Sequence, residues 1–168
     1  MSLPKRANAR VRTIEKRTCG WKRRKEALDK KTTALLQLVD RAWHAGIDAS
    51  FVLFDSWFAH DTIINSICSI GYGVICRLKK SRAKYGYQGQ QYTLKQLWQK
   101  VAKKKTRWLS QHNVQGGCFN VSLPKTGDVR LLFVSDSRKE WQALLRTDPE
   151  MDASQILCYY ARRWSIEM

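Results

Sequence analysis

At 168 residues and 43% hydrophobic content the chain is about one domain long and can build a core, while no apolar run approaches the ~18 residues of a membrane span. Thirty-one Lys and Arg against fourteen Asp and Glu leave a net charge of +17, a field that recruits polyanions, with nucleic acid the usual one. Five scattered cysteines without a CxxC pair argue against a disulfide framework or a zinc site, and the basic, polar N-terminus does not read as a secretory signal; a reducing, cytoplasmic setting is expected.

Residues 1–31 hold twelve Lys/Arg and three Asp/Glu, with almost no apolar periodicity before Trp21, which predicts a flexible or extended basic arm over residues 1–30. Leu35, Leu36, Leu38, Val39, Ala42 and Trp43 then recur at helical spacing ahead of Gly46, predicting an amphipathic helix from about Lys31 to Ala45. Phe51-Val-Leu-Phe54 reads as a buried strand ending at Asp55. A second helix is expected over Asp61–Ile70, stopped by Gly71, and a second strand over Tyr72–Leu78. Short connections between alternating helices and strands predict an α/β fold with these two strands as parallel neighbours.

The composition shifts after Leu78. Residues 79–127 are rich in Lys, Gln and Gly, with a short helix expected over Thr93–Lys103. Phe119–Leu123 and Val129–Val134 read as strands around the turn signal Pro124-Lys-Thr-Gly127. A last helix opens at Asp152, a suitable N-cap, and is expected to run through Met168.

Asp55 stands where chemistry concentrates in α/β sheets, at the carboxyl end of an apolar strand. Position alone leaves two readings open: a residue facing a functional crevice, or a cap for the next helix. On the last helix, Tyr160, Arg163 and Glu167 are spaced i, i+3 and i+7, and at ~100° per residue they fall within roughly 60° of one another. Glu167 could then hold a cation, Arg163 fork onto a phosphate and Tyr160 support it. An Arg163–Glu167 helix pair with no such role fits the same spacing. His60 and His112 are lone histidines to which no role is assigned.

Tyr160-Ala-Arg-Arg163-Trp-Ser-Ile-Glu167 is similar to the YREK signature of the IS-four type of bacterial insertion-sequence transposases. Phe51-Val-Leu-Phe-Asp55-Ser-Trp-Phe58 resembles the strand carrying the second catalytic aspartate of that family. Lys16-Arg-Thr-Cys-Gly20-Trp-Lys-Arg-Arg24 looks like the basic stretch that precedes it. The three matches follow family order and span essentially the whole chain. The resemblance implies an RNase H-like catalytic domain over residues 31–168, a mixed sheet with flanking helices and a β-rich insertion at about 79–147. It implies three carboxylates and two Mg²⁺ or Mn²⁺ ions that activate water, then a DNA 3′-hydroxyl, for attack on phosphodiesters. Asp55 and Glu167 become metal ligands, and Arg163 and Tyr160 contact the DNA phosphate.

The family's first aspartate belongs on an opening strand upstream of the basic stretch, and its final lysine seven residues beyond Glu167; neither has a counterpart here. Asp29, Asp40 and Asp48 do not end apolar strands and are poor substitutes. The expectation is therefore a catalytic-domain fragment with an incomplete two-metal site, inactive alone, that still binds transposon-end DNA and associates with itself or with an intact transposase. Lys103, Lys104, Lys105 and Arg107 would supply phosphate contacts, with Trp108 stacking on an exposed base. The same cluster is also compatible with a solvated turn. A basic nucleic-acid-binding module without catalysis is the alternative function, with no membrane role under either.

Overall fold

The computed structural model describes residues 17–26, 29–102, 105–135 and 140–163 and divides into two compact units, residues 1–47 and 48–168. The first unit carries α1 (Cys19–Glu26) and α2 (Lys31–His44). α1 corrects the expectation of an arm without helix up to residue 30. Its start is organised locally, because the Thr18 hydroxyl accepts the Trp21 N–H at 3.2 Å. Arg41 of α2 lies 3.2 Å from Glu26, an exposed pair that adds little to stability. α2 matches its predicted span, and Gly46 follows it at φ 70°, a conformation that glycine adopts without a Cβ penalty. Residues 1–16 of the basic arm lie outside the described residues.

The second unit is mixed α/β, built on one mixed sheet. Its strands are β1 (Phe51–Phe54), β2 (Gly73–Leu78), β3 (Lys84–Tyr87), β4 (Gln90–Thr93), β5 (Arg107–Leu109), β6 (Val114–Leu123), β7 (Gly127–Ser135) and β8 (Trp141–Arg146). They lie in the order β1-β2-β8-β7-β6-β3-β4, with β5 also on β6. β1 and β2 are parallel, as expected, and joined through α3 (Asp61–Ile70). The remaining pairings are antiparallel.

Residues 79–147 thus contribute β3 to β8, far more strand than the two segments read from sequence. The predicted pair extends to β6 and β7 because their register continues for nine residue pairs, past where apolar alternation fades at Gly116 and Gly117. The β3–β4 hairpin turns on Gln88 and Gly89, both at positive φ (49° and 75°), the geometry of a two-residue hairpin turn without the usual Asn-Gly sequence. The short helix expected over 93–103 is α4 (Leu94–Leu97), continued by a π-turn over Trp98–Ala102. A reciprocal capping box between Thr93 and Gln96 starts it.

Strand alternation sorts the sheet into two faces. Ile75, Leu132 and Leu144 share one face with α5 (Ala153–Ala161), whose Ile156 and Tyr160 complete a buried cluster with Met151. Phe51 and Leu53 pack against the same cluster. On the other face α3 buries Ile63, Ile64 and Ile67, and Ile64 lines a small cavity with Leu78 and Leu145. Arg146 is buried on the α5 face, paired to Asp148 at 2.8 Å and lying over the Phe51 ring.

Asp152 caps α5 as anticipated, through a capping box with Gln155. The α-helical span ends at Ala161, earlier than expected. Arg162 and Arg163 continue it with tighter i→i+3 bonds to Tyr159 and Tyr160. Residues 164–168, Glu167 among them, lie outside the described residues. No helix among the described residues is long and apolar enough to cross a membrane.

Candidate functional site

The parallel register of β1 and β2 builds the site. Phe51 pairs with Gly73 and Phe54 with Cys76, so the next step places Asp55 beside Arg77. Their side chains meet at 3.4 Å, each a little over one third exposed. Both follow the parity of Leu53 and Ile75 and therefore face the α5 side. The apolar run of β1 serves as the anchor: Phe54 is buried and meets Phe58 edge-on at 6.4 Å, while Phe58 N–H returns to the Asp55 carbonyl at 3.2 Å. That turn fixes the carboxylate at the sheet's edge.

The capping alternative for Asp55 does not hold. The residue before α3 is His60, whose side chain makes no cap. Asp61, at the first helical position, instead receives the backbone N–H groups of Lys125 and Thr126 and the Thr126 hydroxyl, tying the β6–β7 turn to α3.

Asp55 is held as a carboxylate. The Ser56 backbone N–H, donated to Oδ1 at 2.6 Å, draws its carboxyl below the ordinary value. Partial burial opposes this, and Arg77, the Ser56 side chain and Arg163 add to the lowering. Tyr160 responds to the same group of charges. Burial raises its phenol, Arg163 and Arg77 pull it back, and Asp55 adds to the rise. The Arg163 guanidinium carbon lies 5.6 Å from the Tyr160 ring centroid.

Asp55 pairs with Arg77 where β1 and β2 end. Tyr160, with Arg163 beside its ring, packs on the same face over Ile75, close enough for the charges of all four to act on one another. No protein-family model and no curated protein matches the chain. The cluster thus stands on its own geometry: one carboxylate, two guanidiniums and a buried phenol at the carboxyl end of a parallel strand pair. Guanidiniums recognise phosphate oxygens through paired N–H donors, and an ionised carboxylate beside them can take a cation or a proton.

Not every residue singled out from sequence joins it. Lys105, Arg107 and Trp108 lie on or beside β5, five strand positions across the sheet from β1, roughly 24 Å at ~4.8 Å per strand. Lys105 and Arg107 line a separate open cleft of about 970 Å³ with Arg130, Cys118 and Asn120, and Trp108 is exposed. Lys103 and Lys104 are outside the described residues. Arg77 was missed at the sequence level. The available signal was a single charge inside the apolar run Gly73-Val-Ile-Cys-Arg-Leu78, placed to follow Asp55 in register once the two strands are paired in parallel.

Proposed function

We propose that residues 31–168 are a fragment of the catalytic domain of a DDE transposase of the IS-four type, with a partial RNase H-like sheet, and that the Asp55 end of this sheet meets a DNA phosphodiester. One observation carries the reading. Asp55 and the Tyr160–Arg163 pair, more than a hundred residues apart in sequence, come together on one face at one end of the sheet. These are the positions that the resemblance assigns to metal and phosphate contacts. The frame supports it: a strand–helix–strand unit with parallel strands puts ligand-facing residues at the strands' carboxyl ends. The charge of +17 supplies long-range attraction for DNA, and transposon ends and a second transposase chain are the partners this reading names.

The metal chemistry of the family does not fit the described cluster by itself. Asp55 is its one carboxylate, with a guanidinium 3.4 Å away, and no three metal-ligating side chains gather among the described residues. Two cations need more ligands than that. Glu167 and a third carboxylate would have to provide them.

The Asp55–Arg77 pair also favours a second reading, in which the carboxylate orients Arg77 and Arg163 in a nucleic-acid-binding module without catalysis. A thermal-shift titration with Mn²⁺ on the full chain separates the two. A metal-dependent rise in melting temperature that Asp55→Ala abolishes supports the transposase reading over the binding module; no rise removes a metal-ligand role for Asp55 in this chain. Both readings require DNA affinity to fall on the order of tenfold in Arg163→Ala, the size of one lost charge-assisted phosphate contact. Unchanged affinity in that variant would remove the phosphate contact from either.

A further inference from the structure

The loop leaving β1 presents an indole to solvent beside the Asp55 cluster. Trp57 is 69% exposed, the most of any large apolar side chain among the described residues. Folding ordinarily buries most of such a ring. The loop does not leave it loose. Ser56 is buried, the Phe58 N–H closes the turn onto the Asp55 carbonyl, and Phe58 packs on Phe54.

The partner of Trp57 comes from the exit of β2, beside the site. Asp55 meets Arg77, and two residues on along each chain Trp57 meets Lys79, whose Nζ lies 4.3 Å from the ring centroid. Two rungs therefore join the exits of β1 and β2, one carboxylate to guanidinium and one indole to ammonium. Lys80 makes a similar contact with Trp141, also at 4.3 Å, but that ring is stacked on Trp98 at 5.5 Å and 19° and packs on Phe133. Trp141 is used inside the protein. Among the described residues no second ring packs on Trp57.

We propose that Trp57 and Lys79 hold one unpaired nucleotide of single-stranded DNA next to the phosphate that the Asp55 cluster contacts. The base stacks on the indole, and the Lys79 ammonium meets the phosphate of the same nucleotide. A paired base has both faces occupied within the duplex, so only an unpaired one has a face to offer, and a π-face is common to all four bases. This clamp rests on the reading that the Asp55 end of the sheet meets DNA. A protein segment docking on the indole is the competing use of the surface.

The experiment is fluorescence anisotropy of the full 168-residue chain with three probes of about twelve nucleotides: a thymidine strand, the same strand with abasic sites, and a duplex. Trp57→Ala is expected to weaken the thymidine strand five- to a hundredfold, the range for losing one stacked base. It should leave the abasic strand and the duplex within twofold, and Trp57→Phe should restore most of the loss. Lys79→Gln should reduce the salt slope on the single strand by about 0.7. Thymidine-strand affinity within twofold of the parent in Trp57→Ala overturns the clamp, as does an equal loss on the abasic strand. Retained DNA binding by the parent, weakened by Arg163→Ala, with a silent Trp57→Ala removes the clamp alone. A parent chain that binds none of the three probes removes the DNA reading together with the clamp.

Discussion

At the scale of single residues, Asp55 is defined by what donates to it. The Ser56 N–H and the two guanidiniums keep its carboxyl below the usual range. A folded-state pKa below the unfolded one means a stabilising contribution that is present above the unfolded value, about 3.9, and lost as pH falls through the folded value. Asp55→Asn is therefore expected to destabilise the chain at neutral pH and to converge on the parent in acid. Urea midpoints at pH ~7 and pH ~3 check this, and a difference that does not shrink in acid would mean that the carboxylate's charge is not what matters. The effect should be modest, since solvent screens a pair in which both side chains are over one third exposed.

At the scale of elements, α5 determines whether the cluster exists, because it carries Tyr160 and Arg163 to the sheet end. Two features hold it in place: the Asp152–Gln155 capping box and the fully buried Ile156. Removing the cap with Asp152→Ala is expected to cost about 1 kcal/mol. Ile156→Ala, which opens a void among Ile75, Leu132 and Leu144, should cost about 2–5 kcal/mol. Denaturant unfolding measures both, and a loss for Ile156→Ala no larger than that for the cap would mean that α5 does not pack as described. α3 is tied in differently, through Asp61 and the β6–β7 turn, so a local acidic residue secures the hairpin from the opposite face.

For the whole molecule, the proposed DNA reading makes a net charge of +17 the main long-range attraction. Affinity for duplex DNA should fall linearly in log–log form as salt rises, with a slope near −0.9 for each phosphate neutralised. Six contacts would mean a loss on the order of a thousandfold between 50 and 200 mM salt. An affinity unchanged over that range would rule out phosphate contacts as the basis of binding. The purified chain is further expected not to nick supercoiled DNA in Mg²⁺ or Mn²⁺, because the cluster's described part holds one carboxylate where two cations need several. Cation-dependent nicking that disappears in Asp55→Ala would show the ligand set to be complete after all.

Much of the frame was legible in the sequence: the α2, β1, α3 and β2 spans, the parallel pairing of the two strands, and the Asp152 cap all follow from periodicity and punctuation. Apart from the pairing, which follows from the short helical crossover, those features depend on neighbours within a turn or two of chain. So did the candidacy of Asp55 as a strand-end carboxylate. The strands β3, β4, β5 and β8 were not legible, because their sequences carry little apolar alternation and are ordered by partners far along the chain. Tertiary structure alone decided that Arg77 falls beside Asp55, that α5 brings Tyr160 and Arg163 to the same end, and that Lys105, Arg107 and Trp108 sit across the sheet from them. The physical reason is register and strand order. Composition and local pattern determine which groups the chain can offer, but which of them share a crevice is settled only when remote strands pair and a helix packs over their ends.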